Sequence, residues 1–158
     1  MVKSAFIGAG SIVFAKSMLV DILSYNELSS AAIALMDIDQ GRLDRITELA
    51  NKLIRQEGFK AKIQSTTDRR KALKDADFVI TMFMVGGLDI YRHEVEIPMK
   101  YGVKQAVGDT LGPGGVFRFL RNTAVLEGIA REMEKLCPGA LWINYVNPMA
   151  MNCWFINK

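Results

Sequence analysis

Phe6-Ile7-Gly8-Ala9-Gly10-Ser11-Ile12-Val13-Phe14 places two glycines where an apolar strand gives way to a helix. The run Val2–Ile7 that leads into the glycines has the pattern of a buried strand. From Ser11 onward the apolar residues recur at helical spacing, at Ile12, Ala15, Leu19 and Ile22. The stretch therefore predicts the strand, turn and helix that begin a βαβ unit, in which glycines let the backbone approach a bound group closely.

A second apolar run, Ile33–Met36, ends in the acidic residue Asp37. In a dinucleotide-binding βαβ unit such an acid accepts hydrogen bonds from the adenosine ribose, and the helix N-terminus after the glycines attracts the pyrophosphate. Because a carboxylate repels a 2′-phosphate, we predict NAD rather than NADP. The alternative to a dinucleotide site is an ordinary tight turn at the glycines, in which case Asp37 only caps the helix that starts at Asp39–Arg42. Val13 stands where a third small residue normally lies in this motif.

The composition narrows the class of protein. The chain has 158 residues, of which 50% are hydrophobic and 23% charged, enough for one α/β domain with a core. The net charge of +3 is spread along the sequence, which argues against a nucleic-acid partner. No apolar stretch suits a membrane span or a signal peptide. Cys137 and Cys153 form neither a metal motif nor a disulfide framework, so we expect a reducing cytoplasm.

Strand and helix patterns alternate along the chain. The predicted strands are Val2–Ile7, Ala32–Met36, Lys62–Ser65, Phe78–Phe83 and Leu141–Tyr145. The predicted helices are Ile12–Tyr25, Gln40–Gln56, Arg69–Asp75 and Val116–Leu136. In the last helix, Val116 and Leu120 are expected on the buried face, while Arg118 and Arg121 are expected to face water. This alternation predicts an α/β fold with a Rossmann-like, doubly wound parallel sheet that makes residues 1–158 one NAD-binding domain.

Two segments fall where the carboxyl ends of parallel strands would lie. The connection Met84–Gly115 shows no clear strand or long helix, and connections of that length are usually functional or partly helical. It contains the only histidine, His93, which is expected at the surface, and the turn-rich stretch Asp109–Gly115, which by itself indicates only loop and cap chemistry. Asn144–Asn152 follows the fifth strand. Because a cofactor domain normally works with a second domain, we interpret the chain as the N-terminal part of a larger enzyme.

Five segments in this order together resemble the family 4 glycoside hydrolases, and most of all their α-galactosidase branch. They are Ile7–Ser11 with Phe14, Ala34–Asp39, Asp75–Val79, Asp109–Gly115 and Asn144–Asn152. The resemblance covers essentially the whole chain. It implies a two-part enzyme in which this chain supplies the Rossmann-like N-terminal domain.

The resemblance also implies a chemistry for a small-molecule α-glycoside substrate. Family 4 enzymes use NAD and a divalent metal, typically Mn²⁺, and are exceptions to the two-carboxylate scheme of glycosidases. A hydride leaves the sugar C3, the C2 proton is then removed by a tyrosine base, the aglycone is eliminated, and water adds to C1 before the hydride returns. On this resemblance the function is hydrolysis of α-galactosides by redox-elimination.

The family roles map onto matching positions of this sequence. Gly8, Gly10 and the turn to Phe14 would hold the dinucleotide, with Asp37 as the ribose acid. Asn147 matches a substrate-binding asparagine, and Asp109 matches an acid that raises the basicity of the tyrosine base. The metal ligands and the tyrosine are expected downstream of residue 158, since Cys153 comes too soon and His93 too early to be ligands. Residues 1–158 alone are therefore expected to bind NAD without catalysis, and the enzyme is expected to be a homodimer or tetramer.

Several alternatives stay open at this point. Substrates of the same family include α-glucosides, α-galacturonides and phosphorylated sugars; Arg92 lies near the position of a phosphate-binding arginine, whereas Val107–Thr110 favours the non-phosphorylated branch. A malate- or lactate-type dehydrogenase shares the glycine turn and the acid, and also carries an arginine after the fourth strand, but Gly112–Gly115 speaks against it. A nucleotide-sensing domain without chemistry is the non-enzymatic alternative.

Overall fold

The computed structural model describes residues 1–158, which form five strands and six helices. The strands are β1 (Lys3–Ile7), β2 (Ala32–Met36), β3 (Lys62–Thr66), β4 (Phe78–Thr81) and β5 (Leu141–Asn144). The helices are α1 (Ile12–Ser24), α2 (Gln40–Glu57), α3 (Arg69–Leu73), α4 (Gly87–Lys100), α5 (Gly112–Leu136) and α6 (Met149–Ile156). None of the six helices is long and apolar enough to cross a membrane.

The five strands form one sheet in the order β3-β2-β1-β4-β5. β1 pairs in parallel with both β2 and β4, and β2 pairs in parallel with β3. Four of the five residues of β1 and of β2 are buried in succession, as expected for strands covered on both faces. β2 and β3 lie on one side of β1, and β4 and β5 lie on its other side, so the order in which strands are added reverses at β1. This arrangement gives the two halves of a doubly wound fold. The predicted Rossmann-like parallel sheet is confirmed.

Hydrophobic side chains from the strands and from α1 and α2 form the core. Phe6 and Leu35 from the sheet, Leu19 from α1 and Ile46 from α2 are all completely buried. Transfer of one such side chain from water contributes about 1.5–3 kcal/mol. α2 ends at Gly58, whose left-handed backbone (φ +71°) is typical of the residue that follows a helix.

The chain divides into two compact units, one comprising Met1–Phe83 with Glu132–Ile143 and the other Met84–Arg131 with Asn144–Lys158. The first contains the strands β1 to β4, most of β5 and the helices α1 to α3. The second contains α4, α6 and most of α5.

The prediction that Met84–Gly115 lacks a long helix is wrong, because α4 occupies Gly87–Lys100. Gly86 and Gly87 adopt φ of +86° and +64° and form the turn that starts the helix. Apolar residues do recur at helical spacing in α4, from Leu88 to Met99, but its buried residues are Glu94 and Pro98. His93 is exposed on this helix, in agreement with the prediction of a surface position.

The predicted orientation of α5 is also wrong in its first half. Val116 and Leu120, expected in the core, are 42% and 60% exposed, whereas Arg118, expected in water, is 8% exposed. The buried stripe of this helix consists of Arg118, Asn122, Leu126, Ile129 and Met133. These positions are three or four residues apart, so the helical period was right and its phase was wrong.

Candidate functional site

The glycine turn between β1 and α1 is closed by backbone hydrogen bonds. The Gly8 and Ala9 amides both donate to the Met36 carbonyl, each at 2.9 Å. Gly8 has φ +89°, and a Cβ there would lie 2.8 Å from Phe83 Cβ and 2.9 Å from the Phe83 nitrogen. Because both the backbone conformation and the space exclude a side chain, position 8 requires glycine.

Asp37 fixes the second half of the turn. The Gly10 amide donates to Asp37 Oδ2 at 2.8 Å, and the Asp39 amide donates to Asp37 Oδ1 at 3.0 Å. Asp37 is 8% exposed, and a Cβ on Gly10 would lie 2.5 Å from its Oδ2. A carboxylate oxygen can accept two hydrogen bonds, and each oxygen of Asp37 accepts one from the backbone, so Asp37 can also accept a hydrogen bond from a ligand hydroxyl.

The helix cap that could have explained Asp37 belongs to another residue. Asp39 caps α2, because its Oδ1 accepts the Arg42 amide at 2.9 Å. This hydrogen bond is the main cause that lowers the pKa of Asp39, with the charge of Arg42 acting in the same direction against desolvation. The cap interpretation of Asp37 is therefore wrong, and its contact with the glycine turn is separate from helix capping.

The start of α1 suits an anion. Ser11, at its N-cap, makes no side-chain hydrogen bond to the helix, and the first turn has no acidic residue. The partial positive charge of the helix end is thus left uncapped by protein side chains. Val13 is 76% exposed, so the missing third glycine of the motif creates no clash with the sheet. The two glycines, the helix end and Asp37 together fit a dinucleotide.

In the other compact unit, Asp109 and Asn147 meet although they are far apart in sequence. Asn147 Nδ2 donates to Asp109 Oδ2 at 2.9 Å, and Thr110 Oγ1 donates to Asp109 Oδ1 at 3.0 Å. Arg118 Nη1 lies 3.4 Å from Asp109 Oδ2. Burial by itself would raise the pKa of Asp109, but the hydrogen bonds from Asn147 and Thr110 and the charge of Arg118 outweigh it and lower the pKa. Asp109 is thereby held as an anion.

The backbone around Asn147 is also held by amide side chains. Asn122 Nδ2 donates to the Asn147 carbonyl at 3.0 Å, and Asn152 Nδ2 donates to the Val146 carbonyl at 2.9 Å. Both asparagines are buried, and the Oδ1 atom of each has no partner. The Asn147–Pro148 peptide is cis, and α6 begins directly after it. These contacts fix the segment that presents the Asn147 side chain.

A buried carboxylate, which the sequence did not reveal, lies next to this pair. Glu94 on α4 accepts two hydrogen bonds from Arg118, through Nε at 2.9 Å and Nη2 at 2.7 Å. Its other oxygen accepts a hydrogen bond from Arg121 Nη2. The sequence feature that could have indicated a buried acidic partner is the spacing of Arg118 and Arg121, which lie one helical turn apart shortly after Gly114–Gly115. A Cβ on Gly114 would lie 2.8 Å from the Glu94 carbonyl oxygen, so this glycine allows α4 and α5 to approach closely.

The predicted site residues thus fall into two groups, and the structure contains no metal centre. Gly8, Gly10 and Asp37 meet in one unit, and Asp109 meets Asn147 in the other. Residues 1–158 contain no group of three or more His, Cys, Asp or Glu side chains that could hold a metal ion. Cys137 is buried and Cys153 partly buried, and both are free thiols.

Solved structures with this fold include glycosidases and dehydrogenases. The chain matches lplD, a proposed glucosidase from Bacillus subtilis, with a TM-score of 0.90 and 32% identity over 100% of this chain and 36% of that chain. A 6-phospho-α-glucosidase from gut microorganisms, solved in complex with NAD and Mn²⁺, matches with a TM-score of 0.84 and 28% identity over 99% of this chain and 36% of the other. Malate dehydrogenase from Cryptosporidium parvum shares the fold alone, with a TM-score of 0.66 and 22% identity, over 99% of this chain and 41% of that chain.

Curated relatives agree with the glycosidase structures. The chain is 42% identical to an α-galactosidase of Rhizobium meliloti over 96% of its length and 31% of the relative's length. It is 43% identical to an α-galactosidase of Bacillus subtilis over 95% of its length and 35% of the relative's. A protein of Bacillus subtilis named as a probable 6-phospho-β-glucosidase is 41% identical over 94% of this chain and 34% of its own length. The chain thus spans about a third of the length of these relatives.

One family accounts for the glycine turn, the Asp109–Asn147 pair and these similarities together. Its sequence model, described as family 4 glycosyl hydrolase, matches residues 3–158. The match includes both groups of site residues, whereas the likeness to the dehydrogenase extends only to the fold. The chain belongs to family 4 of the glycosyl hydrolases.

Proposed function

We propose that the full-length protein hydrolyses α-galactosides by NAD-dependent redox-elimination. The observation that carries the proposal is the glycine turn closed onto Asp37, in a chain that belongs to a glycosidase family. Net hydrolysis of a glycosidic bond transfers no electrons, so a dinucleotide site in a hydrolase supports a catalytic cycle in which an oxidation is followed by the matching reduction. The two α-galactosidases that are 42% and 43% identical to the chain favour α-galactosides as substrates.

We assign NAD binding to the segment Gly8–Phe14 and to Asp37. The glycines allow the backbone amides to approach the pyrophosphate, and the uncapped end of α1 supplies a favourable charge. Asp37 accepts hydrogen bonds from the ribose hydroxyls, and its negative charge repels a 2′-phosphate. NAD, when bound, accepts a hydride from the sugar and returns it, which leaves the cofactor unchanged over a turnover. Binding of NAD to the solved 6-phospho-α-glucosidase is consistent with this assignment.

We assign Asn147 and Asp109 to the sugar. Because Asn147 Nδ2 already donates to Asp109, the Asn147 amide is oriented with its Oδ1 available to accept a sugar hydroxyl. Asp109 is kept negatively charged by its hydrogen bonds and by Arg118, so it stabilises positive charge or a proton donor beside the sugar. In this role Asp109 strengthens a tyrosine base that is contributed from outside residues 1–158.

The metal requirement is part of the proposal, but the metal site is not part of this chain. Since residues 1–158 contain no suitable cluster of side chains, the ligands of Mn²⁺ come from the remainder of the full-length protein. We also expect a homo-oligomer. The alternatives within the family are α-glucosides, α-galacturonides and 6-phosphorylated sugars, in line with the names of an α-galacturonidase 38% identical to the chain and of the relative named for a phosphorylated glucoside.

The test is an assay of the full-length protein with p-nitrophenyl α-galactoside, with and without NAD, Mn²⁺ and a thiol reductant. We expect cleavage that requires both NAD and the metal and that leaves no accumulated NADH. The same reaction in D₂O should place deuterium at C2 of the released galactose, because the C2 proton is lost in the elimination and a solvent deuteron is added to C2 when water adds at C1. Cleavage without NAD, or release without deuterium at C2, would contradict the proposal.

Two further outcomes distinguish the remaining candidates. NADH that accumulates with a hydroxy acid, without glycoside cleavage, would indicate a dehydrogenase. Cleavage of the α-glucoside, α-galacturonide or 6-phosphorylated analogue in preference to the α-galactoside would keep the mechanism and change the substrate. The comparison therefore uses matched p-nitrophenyl glycosides at one concentration of NAD and Mn²⁺.

A further inference from the structure

Arg118 is a buried cation, and each of the three nitrogens of its guanidinium group faces a carboxylate oxygen. Its side chain is 9% exposed, and that of its partner Glu94 is 1% exposed. Nε and Nη2 both donate to Glu94 Oε2, while Nη1 faces Asp109 Oδ2 at 3.4 Å. The guanidinium carbon also lies 4.9 Å from the centre of the Tyr91 ring. Three separate contacts thus determine where Nη1 points.

The charges of this cluster balance only when Asp109 is included. Glu94 is shared between Arg118 and Arg121, so these three side chains together carry one excess positive charge. A buried excess charge is unfavourable unless it is paired, and Asp109 supplies the missing negative charge. Arg118 therefore attracts the Asp109 carboxylate even though it is already paired with Glu94.

Tyr91 ties the same cluster to the loop that precedes Asp109. Its hydroxyl donates to the Val107 carbonyl at 2.9 Å, while its ring lies beside the Arg118 guanidinium. The loop and the side chain of Asp109 are thus located by contacts with the same two elements, α4 and α5. Asp109 in turn holds the Asn147 amide.

We propose that Arg118, held in place by Glu94 and Tyr91, is a positioning residue that sets the orientation of Asp109 and, through it, of Asn147. The inference rests on the proposed function, in which those two residues face the sugar. The contacts form one continuous path, from Glu94 to Arg118, from Arg118 to Asp109 and from Asp109 to Asn147. Arg118 does not touch the substrate in this proposal.

Arg121 offers an internal comparison, because it shares Glu94 but does not contact Asp109. Its remaining donors reach the Val85 and Phe117 carbonyls, at 3.3 and 3.4 Å. Arg121 therefore balances the charge of Glu94 and ties down backbone, whereas Arg118 connects Glu94 to the candidate substrate site. If the cluster only supported the fold, loss of either arginine would have similar consequences.

The experiment compares Arg118→Lys, Arg118→Gln and Arg121→Gln in the full-length protein, with Arg131→Gln as the surface control. Arg131 lies on the same helix in an exposed pair with Glu127. We expect both Arg118 variants to lose about ten- to a hundredfold in kcat/KM for the α-galactoside, the range typical of lost positioning contacts. NAD affinity should stay within about twofold for all variants, since the affected residues are not in the glycine turn.

The pH dependence separates positioning from simple loss of stability. Arg118→Gln removes a positive charge beside Asp109, so the pKa of Asp109 should rise, and the acid limb of the kcat/KM profile should move to higher pH. Arg118→Lys keeps the charge without the fork of donors, so it should lose activity with a smaller shift of that limb. Arg121→Gln removes the excess charge but not the direct contact with Asp109, so it should move the acid limb less than Arg118→Gln does. Equal shifts in Arg118→Gln and Arg121→Gln, or no shift in either, would overturn the inference.

A second readout does not depend on activity. The Asp109 carboxyl can be followed by ¹³C NMR during a pH titration of aspartate-labelled protein, with Asp109→Asn used to assign its signal. Arg118→Gln should move the titration midpoint upward relative to Arg131→Gln, and an unchanged midpoint would refute the contact. If the wild-type protein does not cleave any glycoside, the proposed function fails, whereas this titration still decides whether Arg118 controls Asp109. Should Arg118→Gln not fold, the activity and titration of Arg118→Lys decide the inference instead.

Discussion

Gly10→Ala tests the glycine turn at its most crowded point. A Cβ at this position would lie 2.5 Å from Asp37 Oδ2 and 2.8 Å from Arg42 Cβ, while ordinary contacts begin at 3.4 Å. The turn or the carboxylate must therefore move by about 1 Å. Such a movement breaks the 2.8 Å hydrogen bond from the Gly10 amide to Asp37.

The expected cost follows from these two effects. A hydrogen bond to a charged acceptor contributes about 1.5–3 kcal/mol, and overpacking costs about 1–3 kcal/mol. The two overlap, because moving the carboxylate relieves the clash and breaks the bond at the same time. We therefore expect the free energy of unfolding to fall by about 2 kcal/mol. NAD affinity should fall by about tenfold or more, since 1.4 kcal/mol of lost interaction with the displaced amides is tenfold in Kd.

Gly41→Ala is the matched control for the same assays. A Cβ on Gly41, in the first turn of α2, would lie 3.4 Å from Asp39 Oδ1, which is an ordinary contact. The control should keep NAD affinity and unfold at the same or a slightly higher temperature, since alanine favours the helix. Calorimetric NAD titration and thermal unfolding of the full-length protein provide both quantities. The reasoning is refuted if Gly10→Ala binds NAD as tightly as Gly41→Ala does.

Three further predictions concern local features. Gly58→Ala should lower the free energy of unfolding by about 1 kcal/mol in urea titrations, because the position has φ +71° and no neighbour within 4 Å of the Cβ; an unchanged midpoint would contradict this. Cys137, buried and with its pKa raised by desolvation, should react with iodoacetamide more slowly than the partly buried Cys153 when both are followed by mass spectrometry; equal rates would contradict this. The pKa of Asp109 is lower in the folded protein than in the unfolded chain. Its contribution to stability is therefore fully present above the unfolded pKa of about 4, and it is lost as the pH falls through the lower pKa of the folded protein. Asp109→Asn should therefore lose less stability than wild type between pH 5 and pH 3 in urea unfolding, and an identical loss would contradict the assignment.

The part of the fold near the glycine turn was predictable because several local signals agree there. β1 is buried on both faces, α1 starts directly after the turn, and Asp37 follows a second buried strand. Each of these leaves a trace in the sequence, as an apolar run, a glycine pair or a helical period. The parallel sheet follows from their alternation.

α4 was missed although Leu88, Tyr91, Val95 and Met99 recur at helical spacing, because the residues that it buries are a glutamate and a proline. Glu94 is buried as an ion pair, and Pro98 lies inside the helix near its end. A charged residue followed by proline normally indicates loop or surface. The phase of α5 was missed for the same reason, since Arg118 is buried by its pairing with Glu94.

The contact between the two residues of the candidate substrate site could not be predicted for a different reason. The segments that contain Asp109 and Asn147 were both identified, but their hydrogen bond joins positions distant in sequence. Nothing in either segment indicates that one would contact the other, because the contact depends on how the backbone folds around Asn122 and Gly114. Arg118 and Glu94 could be assigned only once the helices had been placed.

If Asp37 binds the ribose as proposed, it serves the cofactor and the protein with the same two oxygen atoms, which limits how the coenzyme preference can be redesigned. Conversion of such domains to NADP removes the acid and introduces an arginine. Here that change would also leave the Gly10 and Asp39 amides without their acceptor. A neutral side chain that still accepts a hydrogen bond is required at position 37, together with a cation placed elsewhere. On the proposed assignment, a single substitution at position 37 would therefore disrupt the glycine turn at the same time as it changed the coenzyme preference.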